Sequence, residues 1–239
     1  MRDAYDAMAP FYDAFSGEYP VYRAGRLAGF AGLCPDPGAR VLDAGCGTGL
    51  NFGPLLGRLG PGGAVVGIDR SAGMLRRAER RAAAQGWDNI VLVQADLETV
   101  GPDRIAALLD SAGAGSGAAR AGLATYSLSV MPGWRRAWEH LAGGLGEGAR
   151  LCVVDMQRPV GRARWLAPLA EAACALGGSD ITAHPWTAVE ERCRDVGGAS
   201  VRGGHVQARW GTLPAASRGS PDRTRDRAEP GRRGPRGRG

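Results

Sequence analysis

Three aspartates are the residues best placed to do chemistry, because each ends a short apolar run bounded by turn residues. Such runs are typical of buried strands, and the carboxyl ends of parallel strands share one edge of a sheet. Asp69 lies 20 residues after Gly49, the spacing at which a carboxylate accepts hydrogen bonds from ribose hydroxyls. Asp96 can accept from an exocyclic adenine amine, and Asp43 can lie near a cationic amino-acid group. Together they predict a ligand with a nucleoside end and an amino-acid end.

A glycine loop follows the first of these acids. Gly45, Gly47 and Gly49 stand at alternate positions after the strand, so a ligand can approach the backbone closely. In the dinucleotide-binding fingerprint two residues separate the last two glycines. That spacing requires glycine at position 50 or 52, where this chain has Leu50 and Phe52. The loop therefore argues against a nicotinamide-dependent oxidoreductase, which stays an alternative function.

The elements that must position these residues alternate between strand and helix patterns. Strand, helix, strand, helix, strand at this spacing predicts a doubly wound α/β sheet. Ser71 is a predicted N-cap of the second helix. Further helices are predicted in the N-terminal segment 1–33 and at 52–59, 102–111, 134–145, 162–176 and 188–196, and further strands at 121–130, 150–155 and 201–210.

Composition and charge limit the remaining possibilities. The chain has 239 residues with 44% hydrophobic and 23% charged residues, which fits one soluble domain with a sizeable core. Five scattered cysteines give no disulfide framework and no metal-ligand spacing, so we expect a reducing cytoplasm and no metal. No apolar run is long enough to span a bilayer.

The basic charge is concentrated at the C-terminus. Residues 214–239 hold eight Arg and three acids, which is +5 of the chain's net charge of +6. We therefore divide the chain into a domain at 1–213 and a disordered Arg/Gly/Pro-rich tail at 214–239, and expect no nucleic-acid binding by the domain. The tail is either a solvated extension or a segment that contacts RNA or an anionic membrane surface through its charge.

The motifs resemble those of a known family. Val41–Asn51, Val65–Leu75 and Asn89–Leu97 resemble the successive cofactor motifs of class I S-adenosylmethionine-dependent methyltransferases. Residues 124–134 resemble their fourth motif and 145–151 the turn before their fifth strand, so the resemblance covers about 5–212. One departure is that Ala119-Arg120 stands where the family usually has Phe-Asp. The finer resemblance is to bacterial phospholipid or betaine-lipid N-methyltransferases and to quinone C-methyltransferases.

The resemblance implies a Rossmann-like, mostly parallel, seven-stranded sheet with N-terminal helices, and S-adenosylmethionine as the cofactor. It implies a small-molecule acceptor, preferably a lipid or quinone, with peripheral membrane contact as a further possibility. The cofactor-binding residues that it implies are Asp43, Gly45, Cys46, Gly47 and Asn51 at the methionine part, Asp69 at the ribose, Arg70, Met74, Asp96 and Leu97 at the adenine, and Tyr126 and Ser127 facing both the methionine part and the acceptor cavity.

A catalytic base is less clearly indicated, because the sulfonium methyl is already activated and the protein has chiefly to align the reactants. The candidates are His140, His184 and His205, and His184 is preferred because its loop could close the acceptor pocket. Tyr12 and Tyr126 are possible orienting groups. The aromatic segment Tyr5–Asp13 either packs on the domain or covers the ligand. The same motifs are also compatible with aminocarboxypropyl transfer from this cofactor and with binding that leads to no catalysis.

Overall fold

The computed structural model describes residues 21–112 and 119–215, which build one seven-stranded sheet with the strand order β3-β2-β1-β4-β5-β7-β6. The strands are β1 (Arg40–Ala44), β2 (Ala64–Asp69), β3 (Ile90–Gln94), β4 (Arg120–Thr125), β5 (Arg150–Met156), β6 (Arg194–Val201) and β7 (Val206–Thr212). The helices are α1 (Arg23–Leu33), α2 (Phe52–Leu59), α3 (Ala72–Gln85), α4 (Pro102–Ser111), α5 (Trp134–Leu145), α6 (Ala167–Leu176) and α7 (Thr187–Arg192).

The sheet is parallel except at one end. Strands β1 to β5 pair in parallel, whereas β7 is antiparallel to both β5 and β6. The strand order reverses between β1 and β4, so a crevice opens beyond their carboxyl ends. The predicted doubly wound, mostly parallel sheet of the Rossmann-like methyltransferase fold is confirmed.

Several predicted elements are found at their predicted bounds. Helices α2, α4 and α5 coincide with the predictions at 52–59, 102–111 and 134–145. The Ser71 hydroxyl accepts a hydrogen bond from the Met74 N–H, which confirms the predicted N-cap of α3. Two apolar clusters, one on each face of the sheet, form most of the core.

The predictions after β5 were less accurate. The helix predicted at 162–176 begins as a 3₁₀ segment, Gly161–Leu166, and only Ala167–Leu176 is α-helical. The helix predicted at 188–196 was wrong in its second half, since α7 ends at Arg192 and Arg194 already begins β6. The single strand predicted at 201–210 is a hairpin, with a turn between β6 and β7.

The fourth strand is shorter than the predicted 121–130. It ends at Thr125, and Leu128–Val130 forms a 3₁₀ turn. Arg120, which stands in place of the family's acid, hydrogen-bonds the Asp110 carboxylate of α4 at 2.5 Å and the Gly144 carbonyl at 3.2 Å. The substitution is thus accommodated by a surface ion pair that joins β4 to α4.

Two sets of predictions lie outside the described residues: the N-terminal positions 1–20, with Tyr12 and the Tyr5–Asp13 segment, and most of the predicted tail, from residue 216 onwards. In the described part, no helix combines the length and apolarity needed to cross a membrane.

Candidate functional site

A cavity of about 440 Å³ lies at the carboxyl edge of the sheet, where the strand order reverses. Most of the predicted cofactor residues line it: Gly45, Cys46, Gly47, Asp69, Arg70, Met74, Asp96, Leu97, Tyr126 and Ser127. Asp43 and Asn51 do not line it but lie buried behind its wall. The fold thus gathers residues from the loop after β1, from β2, and from the segments after β3 and β4 around one cavity.

The glycine loop adopts backbone conformations that favour glycine. Gly45, Gly47 and Gly49 have φ values of +72°, +55° and +78°. A Cβ atom on Gly45 would lie 2.4 Å from Cβ of Ser127, so this glycine lets the loop pass close to the segment after β4. A Cβ atom on Gly47 would meet nothing within 4 Å. The backbone of Gly47 therefore faces open space at the cavity.

Asp69 holds the loop in place. Its Oδ2 accepts a hydrogen bond from the Gly47 N–H at 2.8 Å, and its Oδ1 accepts from the Ser71 N–H at 2.9 Å. The acid at the end of β2 is thus joined both to the glycine loop and to the start of α3. Asp96 similarly anchors its own turn by accepting from the Glu98 N–H at 2.8 Å.

A buried polar network lies behind the loop. Asp43 is fully buried, and its Oδ1 accepts from Nδ2 of Asn51 at 2.7 Å. Its Oδ2 is the one fully buried side-chain polar atom of the described residues that has no hydrogen-bond partner. Burial raises the pKa of Asp43 to about 7, although the Asn51 hydrogen bond and the nearby Arg26 guanidinium oppose the shift.

Arg26 is a site residue that sequence reasoning missed. Its guanidinium donates to Oδ1 of Asn51 and, at 2.9 Å, to Oγ1 of Thr125, and both Arg26 and Thr125 line the cavity. Glycines at 25, 29 and 32 form one face of α1, and a Cβ atom on any of them would meet side chains of the sheet within about 2.5 Å. The spacing of these glycines was the available signal that α1 packs tightly and carries Arg26 into the site.

Tyr126 is held in a strained conformation, with a φ of +56° that non-glycine residues seldom adopt. Its hydroxyl donates to the Tyr22 carbonyl at 2.7 Å, and the two rings lie 4.7 Å apart. Ser127 donates to the Ala44 carbonyl at 2.6 Å. The segment after β4 is therefore fixed to α1 on one side and to β1 on the other.

The three histidines do not line this cavity. His140 Nδ1 lies 2.9 Å from the Leu97 carbonyl oxygen, His205 Nδ1 lies 2.6 Å from the Gln157 carbonyl oxygen, and the His184 ring lies 4.7 Å from that of Trp186. A catalytic role for His184 therefore stays a prediction without a contact to support it. No cluster of potential metal ligands occurs within 21–112 and 119–215.

Comparison with known proteins agrees with this geometry. Residues 35–107, from the turn before β1 into α4, match the family described as a methyltransferase domain. The match includes the glycine loop, Asp69 and Asp96. The segment that carries the site is thus similar to a methyltransferase domain.

Two curated relatives are each similar to part of the chain. Aklanonic acid methyltransferase DauC from Streptomyces sp. (strain C5) is 36% identical over 101 residues, 42% of this chain and 45% of that protein. Nocamycin O-methyltransferase from Saccharothrix syringae is 42% identical over 88 residues, 36% of this chain and 30% of that protein. The chain thus spans less than half the length of either relative.

The fold is similar over most of the chain. The crystal structure of a SAM dependent methyltransferase from Aquifex aeolicus superposes with a TM-score of 0.54 at 14% identity, covering 84% of this chain and 97% of that one. The chain therefore has the fold of S-adenosylmethionine-dependent methyltransferases.

The residues of the cavity fit S-adenosylmethionine on two grounds. The open space over Gly47 admits a ligand against the backbone, with the carboxylates of Asp69 and Asp96 at the cavity wall. Arg26 lines the cavity where an amino-acid group would lie, and Asp43, whose buried Oδ2 has no hydrogen-bond partner, lies behind the wall close to it. Asp69 would hold the ribose, Asp96 the adenine, and Arg26, with Asp43 behind it, the methionine part.

The remaining wall of the cavity is largely apolar. It is formed by Val21 and Tyr22, by the segment after β4, by β5 and by the α6 region, with Val130, Met131, Met156, Ala173, Cys174, Leu176, Gly177 and Ser179 at the surface of the cavity. Cys174 Sγ lies 3.7 Å from Met156 Sδ, and burial raises the pKa of this thiol to about 11. The wall offers an apolar surface on which the acceptor could bind.

Proposed function

We propose that the chain transfers the methyl group of S-adenosylmethionine to an oxygen of a small, largely apolar acceptor. The observation that carries this proposal is the division of one cavity into two walls: the cofactor motifs form one, and the apolar residues of β5 and α6 form the other. The relatives support the choice of oxygen, since one is an O-methyltransferase and the other is named for an acid as its acceptor.

The residues of the site would act mainly by binding and alignment. Bound S-adenosylmethionine supplies a sulfonium methyl group that is already activated. Asp69 and Asp96 would fix the nucleoside end. Arg26 would fix the amino-acid end, and the buried Asp43 would support it through Asn51. The apolar wall would hold the acceptor against them and exclude water, which favours transfer over side reactions.

The protonation of two side chains at the apolar wall, Cys174 and Tyr126, favours an acceptor that is itself acidic. The raised pKa of Cys174 keeps its thiol protonated at neutral pH. The Tyr126 hydroxyl is already engaged, because it donates a hydrogen bond to the Tyr22 carbonyl. Neither group is therefore available as a general base. A carboxylic acid or an acidic phenol needs no such base, because it is ionised or nearly so before it binds.

The sequence-based preference for a lipid or quinone stays a prediction, since the apolar wall fits those acceptors as well. An acceptor panel separates them: an aromatic carboxylic acid, a hydroxynaphthoquinol and phosphatidylethanolamine, each incubated with methyl-labelled S-adenosylmethionine. We expect label on the aromatic acid, with S-adenosylhomocysteine as by-product. Label on the quinol carbon or the amine nitrogen would contradict oxygen methylation, and methylthioadenosine as by-product would indicate aminocarboxypropyl transfer instead.

A further inference from the structure

A buried carboxylate on β5 joins three parts of the apolar wall. Asp155 is fully buried and does not line the cavity. Its Oδ1 accepts from Oγ of Ser129 at 2.7 Å and from the Met156 N–H at 2.9 Å, and its Oδ2 accepts from the Ser129 N–H at 3.1 Å. In each of these bonds the neighbouring group donates and the carboxylate accepts.

Ser129 extends these bonds to the loop after α6. Its carbonyl accepts from the Asp180 N–H at 2.8 Å, and the preceding residue, Ser179, lines the cavity. Ser129 itself lies in the 3₁₀ turn whose last residue, Val130, also lines the cavity. The chain of bonds from Asp155 therefore passes through the turn after β4 and ends at the loop after α6.

We infer that Asp155 is a positioning residue for the acceptor. The inference rests on the proposed function, because it takes the apolar wall to be where the acceptor binds. Asp155 fixes Met156 through the backbone, fixes the 3₁₀ turn through Ser129, and fixes the loop at Ser179 through Ser129 and Asp180. These bonds join elements on the acceptor side of the cavity, and none of them includes the glycine loop or the cofactor acids, so removal of Asp155 should disturb mainly this wall.

The variant Asp155→Asn tests this at nearly constant volume. If the new Nδ2 takes the place of Oδ2, it faces the Ser129 N–H; if it takes the place of Oδ1, it faces the Met156 N–H. In either orientation two donors oppose one another, and a buried N–H loses its acceptor. Ser129→Ala is the milder variant, because it removes the hydroxyl and keeps the backbone donor.

Binding of two probes distinguishes the walls, with anilinonaphthalene sulfonate as the apolar probe and S-adenosylhomocysteine as the cofactor probe. For Asp155→Asn we expect the apolar probe to bind about fivefold or more weakly, since a misplaced wall loses contact area, with cofactor-probe affinity within about twofold of wild type. Ser129→Ala should likewise weaken binding of the apolar probe more than binding of the cofactor probe, but by a smaller factor. Ser111→Ala on α4 serves as the matched control. Equal loss of both affinities, or loss of neither, would overturn the inference.

Amide hydrogen exchange gives a readout that needs neither probe. In Asp155→Asn we expect faster exchange in residues 127–131 and 177–182 together, with residues 43–51 unchanged. Faster exchange throughout the sheet would mean a general structural role and would overturn the inference. Failure of the wild-type chain to bind S-adenosylhomocysteine would contradict the proposed function instead, which the exchange measurement does not use.

Discussion

Gly47 and Asp69 are joined by a hydrogen bond of 2.8 Å from the glycine N–H to the carboxylate, across the gap between the β1 loop and the end of β2. The glycine loop, which would hold the methionine part of the cofactor, and the end of β2, which would hold the ribose, are therefore one structural unit. A ribose that binds Asp69 must share this carboxylate with the loop or displace it. Binding of the ribose at Asp69 should consequently be coupled to the position of the glycine loop at the methionine part.

Removing this carboxylate should weaken cofactor binding sharply. In Asp69→Ala the Gly47 and Ser71 amides and the ribose hydroxyls would all lose an acceptor. We expect the Kd for S-adenosylhomocysteine, measured by calorimetry, to rise at least about tenfold, or ~1.4 kcal/mol. The exposed Asp88→Ala, after the end of α3, is the control and should bind as wild type. A change within twofold for Asp69→Ala would mean that the ribose does not bind there.

Arg26 should contribute to binding through its charge and its hydrogen bonds. Arg26→Met keeps much of the stem but removes the bonds to Asn51 and Thr125 and the positive charge near Asp43. We expect the Kd for S-adenosylhomocysteine to rise by about tenfold, because charged hydrogen bonds of this kind contribute ~1.5–3 kcal/mol. Arg23→Met, one turn earlier on the exposed side of α1, controls for the loss of a charge. Equal effects of the two variants would argue that Arg26 acts only through net charge.

The face of α1 formed by Gly25, Gly29 and Gly32 gives a prediction about packing. A Cβ atom on Gly25 would lie 2.2 Å from Val206 and 2.4 Å from the Tyr126 hydroxyl, so Gly25→Ala must move α1 and with it Arg26. We expect a destabilisation of about 1–3 kcal/mol in urea unfolding, together with weaker cofactor binding. Gly57→Ala in α2 is a matched control, because its Cβ would meet nothing within 4 Å. It should be neutral or stabilising by up to about 1 kcal/mol.

Asp43 should make stability depend on pH. Its folded-state pKa of about 7 lies above the ordinary value of 3.8, so between these values the folded chain holds a proton that the unfolded chain has lost. The free energy of unfolding should therefore fall as pH rises from about 4 to 7, by an amount on the order of a few kcal/mol, and change no further above that. Urea unfolding at several pH values measures this.

Asp43→Asn is the control for that titration, since it keeps the shape and removes the ionisable group. Its free energy of unfolding should vary less between pH 4 and 7 than that of wild type. A wild-type stability that rises over this range, or an Asn variant with the same slope, would show that Asp43 is ionised in the folded chain.

The parts of the fold that were predictable are those that depend on local pattern. An acid stands at or within two residues of the end of each of the strands β1 to β3, and the apolar runs before Asp43 and Asp69 indicated two of these strands directly. Helix α5 was equally clear, because Gly133 and Gly146 bound an amphipathic segment. The cofactor side of the cavity followed, because parallel strands bring their carboxyl ends together.

The parts that were not predictable depend on distant contacts. The β6–β7 hairpin was missed because Gly197 and Gly198 are uncommon in strands; Gly197 is there because a Cβ atom would lie 2.4 Å from Trp210. Arg26 reaches the site only through the packing of α1 on the sheet. Asp155 looked like the end of one more strand, and its bonds to Ser129 depend on the turn after β4.

Calorimetric titration with S-adenosylmethionine and, separately, NADH tests the central assignment most directly. We expect the chain to bind S-adenosylmethionine with a Kd below about 100 μM, corresponding to roughly −5.5 kcal/mol, and not to bind NADH. Binding of NADH without any response to S-adenosylmethionine would contradict the assignment of the cavity around Gly47 and Asp69.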